Sequence, residues 1–384
     1  MSFATRTIAI FCMHIACAGA ATLRVGPHQL LSVPSQAAAV AHDGDTVEID
    51  AGEYRGDVAV WTQSRLLIRG RGGMVKLIAD GHAAESKAIW VVRGGDIRIE
   101  KVEFSGTRVP DHNGAGIRFE SGHLQVSACR FFDNENGILT SADPDSQLDI
   151  EFSEFGNNGD GSGWSHNLYV GHIARLSVKG SYFHHARVGH LLKSRAKVNI
   201  VTYNRLTDDE GGHASYELEF PNGGLALVLG NIIEQSASTE NATIISYGAE
   251  SLSDDNNRLI LVHNTIVDRH RSSGSPLVVR GTPGAVSVQA INNLLIDSGA
   301  LKLPAGAVDR GNLTGTLDQL GPDYRPLDAT AWKVAPENFT DLNLPPALAQ
   351  QDSRPIMSME YRHPMQLQDV KRVSRGAGAI QNAK

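Results

Sequence analysis

A short extended run closed by an apolar residue, then an Asn-, Asp- or Gly-rich turn, recurs along most of this chain. That repetition limits the folds open to it. The runs lie at 97–104, 124–131, 148–155, 176–183, 198–206, 226–233, 259–266 and 286–294. Measured at the last apolar residue of each, from Phe104 through Phe131, Phe155, Phe183, Leu206, Ile233 and Ile266 to Leu294, the steps are 27, 24, 28, 23, 27, 33 and 28 residues. A second short strand follows most turns, at 116–119, 137–140, 167–170, 190–193 and 243–246. Two or three short strands per period make one coil of a parallel β-solenoid. A lone coil cannot bury its apolar side, but stacked coils bury a continuous column and pair each backbone with the coils above and below. A leucine-rich repeat fits worse, because no fixed Leu-x-x-Leu-x-Leu spacing appears.

Composition agrees with an all-β reading. Of 384 residues, 39 are Gly, without a Gly-X-Y period, which suits many turns between short strands. A hydrophobic share of 41% supports a large core. The net charge of −7 argues against a nucleic-acid binder. Residues 1–20 read as a signal peptide: Arg6, an apolar stretch from Ile8 to Met13, then the small residues Ala18, Gly19 and Ala20. The chain is therefore expected to be secreted or periplasmic. No later stretch reaches the ~18 apolar residues of a membrane span. Two of the three cysteines fall in the leader, so Cys129 has no internal partner and is read as a buried core thiol.

The stretch 33–49, VPSQAAAVAHDGDTVEI, with Gly52, Glu53 and Tyr54 after it, resembles the opening of right-handed parallel β-helix proteins of the pectin-lyase-like superfamily. Asn204, Asn231 and Asn264, each opening an Asn-x-apolar triplet, resemble that family's repeat core, and 323–327 and 376–380 resemble its last coils. The resemblance implies a right-handed parallel β-helix with a short N-terminal capping helix over 21–304. Residues 305–384 are expected to form final coils and an irregular tail packed on the helix. The fold hosts lyases, hydrolases, epimerases, esterases and binding proteins, so activity has to be argued from a site.

Charge is uneven. Between His172 and Arg205 lie Arg175, Lys179, Arg187, Lys193, Arg195, Lys197 and Arg205, and no acid, in a chain that is acidic overall. A basic strip there would attract an anion. On the second strands, with Leu168 and Val170 inward, Asn167 and Tyr169 are expected to point out, and His190 to take the place of Asn167 one coil on. Glu217 and Glu219 are expected to face out on the following coil. His166 and Trp164 come from the long insertion 156–166, and Trp164 at its tip suits stacking on a sugar ring.

This set fits β-elimination on a uronic-acid glycan. That reaction needs a cation for the carboxylate, a base for the C5 proton and an acid for the leaving oxygen. The expected catalytic residues are His190 and Lys193 as competing bases, Tyr169 as acid, and Arg195 on the carboxylate. Asn167, His166, Trp164, Glu217, Glu219 and Arg187 are expected to bind substrate. In lyases that the resemblance brings in, a Lys or Arg serves as base, often with bound calcium. Glu217 and Glu219 are accordingly candidate calcium ligands, although no Asp-rich loop of known spacing is present. The alternatives are a polygalacturonase-like hydrolase, whose Asn-Thr-Asp and Arg-Ile-Lys motifs are missing here, and a non-catalytic glycan-binding surface protein. A C5 epimerase would use nearly the same residues as a lyase. The expected partner is an anionic polysaccharide or oligosaccharide, bound by a monomer.

Overall fold

The computed structural model describes residues 19–381 apart from 254, 271–273, 329, 336–341, 343, 345–347, 349–356 and 371–375. The proposed leader therefore lies, save for residues 19 and 20, outside the described residues. The chain winds as a parallel β-helix of about ten coils. Its strands stack into three parallel walls. In the middle of the column one coil contributes Arg175–Lys179 to the first wall, Tyr182–His184 to the second and Leu192–Ser194 to the third. The next coil places Val198–Thr202, Arg205–Thr207 and Leu218–Phe220 on the same walls.

Each run read from the sequence as one strand is two strands meeting at a corner. The corner residue takes a left-handed backbone: Ala128, Phe152, Tyr203, His263 and Asn292 all have φ between 49° and 54°. Inward alternation resumes after the corner, so the run looks continuous in sequence. The inward register holds from Phe104 to Ile266 through direct partners. It slips by one at the end, where Ile266 pairs with Leu295 and not Leu294.

Stacking identical inward groups builds the core. Phe104, Phe131, Phe155 and Phe183 are fully buried, with centroids 5.1, 4.6 and 4.6 Å apart and rings nearly parallel. Each such pair contributes about 0.5–1.5 kcal/mol beyond its area. Beside the first corner runs a polar ladder. Asn204, Asn231, Asn264 and Asn293 each donate from Nδ2 to the Oδ1 of the next Asn, ending at Asn312, at 2.8–3.0 Å. Each also donates to a main-chain carbonyl. Ser181, Ser153 and Cys129 occupy the same column in earlier coils. Cys129 is buried as expected, and burial pushes its thiol up to about 12.

A seven-residue helix, Pro34–Val40, sets Ala37 against the start of the column. At the other end, Val308–Arg310 and Leu313–Gly315 extend the first and second walls. Beyond them the chain returns along the outside. Leu342, Leu348 and Met357 cover the outward apolar residues Ile200, Leu227, Leu229 and Ile260 of the first wall. Trp332, Tyr361 and Ile380 do the same for Ile232, Val267 and Ile296 of the second.

Candidate active site

Among the described residues, the outer face of the third wall is free of this strap. Pairing puts Arg118, Leu139, Tyr169, Lys193, Glu219 and Ser246 in one outward column. The register differs from the sequence reading by one residue: Leu168 pairs with Leu192 and Tyr169 with Lys193. In a strand a one-residue slip exchanges the two faces, so Lys193, not His190, stands beside the outward residues of the preceding coil. His190 precedes its strand by two positions and stacks on His166, which does the same one coil earlier. Their centroids are 4.5 Å apart, and the His190 main-chain N–H donates to His166 Nδ1 at 2.9 Å.

The cluster is tight. His190, 6% exposed, sits on the outer wall, with its ring between His166 and the edge of Tyr216. Its Nδ1 lies 3.1 Å from Glu219, and Lys193 Nζ lies 3.2 Å from the same oxygen. Neither contact is aligned as a good hydrogen bond, so the attraction is mainly of charge, in a geometry able to tighten around a ligand. His190 Nε2 makes no hydrogen bond among the described residues. The His166 ring stacks on Tyr169 at 5.4 Å, and the Arg195 guanidinium lies 5.0 Å over the Tyr169 ring. Glu250 completes the group, 3.2 Å from Lys193 Nζ and with both oxygens on Arg195 Nη2 at 2.6 and 2.8 Å.

Burial and charge set the protonation of these groups. Burial pushes His190 below the ordinary His value, and Glu219 pulls it partly back. His166 is driven further down by burial, and then by His190, Lys193 and Arg195. Burial would raise Glu219, but His190 and Lys193 hold it below the usual carboxylate range. The site thus pairs a neutral, accessible imidazole nitrogen with an ionised carboxylate behind it.

Several expected residues lie elsewhere. Asn167 does not point outward. It is fully buried at the second corner, where Asn134, Asn158 and Asn167 form another amide ladder and Asn167 Nδ2 donates to the His184 carbonyl at 2.8 Å. It precedes the strand rather than belonging to it, and a corner amide satisfies backbone that would otherwise be orphaned. Glu217 is also turned inward. It is fully buried and neither oxygen has a hydrogen-bond partner. Burial and the nearby Asp208, Asp268 and Glu234 push it well above the normal Glu value. Only Glu219 of that pair faces out. Arg187 pairs with Asp133 at 2.5 Å and lines a shallow depression with Arg108, His112 and Asp160. Trp164 is 86% exposed at its loop tip, which is folded around the Asp160 carboxylate.

The basic window does not form a strip. One coil wraps three walls, so Arg175 pairs with Asp149 on the first and Arg205 with Asp209 on the second, leaving Lys193 and Arg195 on the third. Sequence reasoning missed Glu250, Arg118 and Tyr216. Arg118 holds the same place in the run 116–119 as Tyr169 does in 167–170, a signal the sequence carried. Calcium does not fit this donor set: Glu219 and Glu250 already face cationic or imidazole groups, and Glu217 is buried away from them. Among the described residues no group of three or more His, Cys, Asp or Glu side chains is arranged for a metal. A separate cleft of about 440 Å³ on the first wall is lined by Arg98, Asp149, Arg175, Lys179 and Leu348. Two of its cations are paired, Arg175 with Asp149 and Arg98 with Glu100.

No family model matches the chain, and no curated protein matches it. Among solved structures it is similar to a pectate lyase, Pel9A, with TM-score 0.52 and 12% identity, over 95% of this chain and 98% of that one. It is also similar to an alginate lyase from Paenibacillus sp. str. FPU-7, with TM-score 0.49 and 14% identity, over 77% of this chain and 98% of that one. The likeness to the pectate lyase shows the fold, a right-handed parallel β-helix along nearly the whole of both chains. Among the described residues no helix is long and apolar enough to cross a membrane.

Proposed function

We propose that this chain is an exported polysaccharide lyase that cleaves an anionic, uronic-acid-containing glycan by β-elimination. The observation that carries the reading is the meeting of four groups on one outer wall: His190 and Lys193 against Glu219, and Arg195 over the ring of Tyr169. Arg195 and Lys193 neutralise the sugar carboxylate and so acidify C5. His190 takes the C5 proton on Nε2, and Glu219 stabilises the imidazolium that forms. The C5–H electrons become the C4–C5 double bond as the C4–O bond breaks. The leaving oxygen takes the Tyr169 phenol proton, and solvent exchange resets both groups. Lys193, in contact with two carboxylates, acts as a cation rather than as the base. His166 positions Tyr169 by stacking on its ring and His190 by a tilted ring contact. A pectate lyase built on the same fold is consistent with this reading.

Hydrolysis is disfavoured by a specific observation: His190 and Lys193 beside Glu219, and Arg195 and Lys193 beside Glu250, hold both carboxylates below the usual range, so neither supplies the protonated acid that hydrolysis needs. The test is incubation with a panel of uronic-acid polysaccharides. Elimination gives rising ultraviolet absorbance from the new conjugated double bond. Reducing ends without that absorbance would mean hydrolysis, and binding without turnover would mean a glycan-binding protein.

A further inference from the structure

Glu250 follows the third-wall strand Thr243–Tyr247. Its backbone is pinned, since its N–H donates to the Pro221 carbonyl at 3.0 Å, while its carboxylate reaches across to Lys193 and Arg195. Those cations are 13% and 12% exposed, whereas Glu250 is 47% exposed. A protein carboxylate thus already rests on the two groups that suit a sugar carboxylate. The fit is incomplete: both Glu250 oxygens sit on Arg195 Nη2, and Nη1 is buried without a partner. A guanidinium binds a carboxylate best when two nitrogens each meet one oxygen.

We propose that Glu250 is a specificity-determining residue that holds the carboxylate subsite in the free protein and yields it only to an anionic sugar. This rests on the reading of the wall as an anionic-glycan site. An incoming uronate exchanges one carboxylate for another, so the cations are never left unpaired. A neutral sugar offers no replacement and would strand the nearly buried Arg195 and leave Lys193 with Glu219 alone, which is penalised. Because the Glu250 main chain is hydrogen-bonded independently of its side chain, the exchange needs only side-chain rotation. Backbone movement is not required.

The experiment compares wild type with Glu250→Gln by calorimetric titration. The probes are oligogalacturonate, oligomannuronate and their neutral methyl esters, and thermal melts check folding. The expected result is roughly tenfold tighter uronate binding by E250Q together with newly measurable binding of the neutral ester. If wild type binds a uronate probe and E250Q binds it equally or more weakly, Glu250 positions the cations rather than guarding them. The proposal then falls while the anionic site stands. If neither protein binds either uronate, the reading of the site fails and takes the proposal with it.

Discussion

Replacing Glu219 by Gln tests the acid–base assignment most directly. The change keeps shape and removes one negative charge 3.1 Å from His190 Nδ1 and 3.2 Å from Lys193 Nζ. At an effective dielectric near ~20, a unit-charge pair at that distance is worth about 5 kcal/mol. Lys193 shares the carboxylate, so the effect on His190 should be smaller, and its direction is a fall, since Glu219 is what pulls the imidazole back up. The sign follows from the base having to be neutral. Glu219 favours imidazolium, so removing it carries the acid limb of kcat/KM to lower pH. The plateau also drops, because a weaker base accepts the C5 proton less readily. We expect kcat lower by about 10- to 100-fold, against about 10²–10⁴-fold for His190→Ala, which deletes the base. The assay is initial-rate absorbance on the polysaccharide identified in the panel, across the full pH profile. An acid limb that stays in place would refute His190 as the base. A variant more active near neutrality would point to Lys193 as the base instead.

Three further outcomes follow from the geometry. Asn231→Ala removes two donated and two accepted hydrogen bonds inside the column; at ~1 kcal/mol each it should cost about 4 kcal/mol in chemical denaturation, several times the cost at the partly exposed Asn312, and equal costs would contradict the ladder account. Glu217 keeps its proton in the folded state after the unfolded chain has lost it, so stability falls as pH rises above the ordinary Glu value; Glu217→Gln should therefore raise Tm at alkaline pH and leave it unchanged in acid, and a pH-independent effect would count against that. Trp164→Ala should change stability by less than about 0.5 kcal/mol, since the side chain is 86% exposed, yet weaken oligosaccharide binding; unaltered binding would assign the loop no contact with the glycan.

Much of this was legible because stacking forces repetition. Every coil must present an apolar residue inward at the same station, so Phe104, Phe131, Phe155 and Phe183 revealed the fold and its register together. Lys193, Arg195, His190, Tyr169, His166 and Glu219 could be grouped for the same reason. Outward residues face no such constraint. The segments between the second and third walls vary in length, so one residue more or less before Leu192 leaves the core satisfied while changing which polar group meets Tyr169. Asn167 and Glu217 were misjudged because strand alternation was carried past a corner, where it no longer applies.

By itself the sequence determined the coil, its inward column and the polar residues available near the middle of the helix, since apolar burial on every coil tolerates few alternatives. Only the tertiary structure decided that Lys193 lies under Tyr169, that His190 leans on His166, that Glu217 has no partner where Glu219 meets two, and that Glu250 returns from two coils on to sit on two cations. Those contacts join residues up to 57 positions apart. They depend on corner geometry and segment length, which hydrophobic periodicity does not encode.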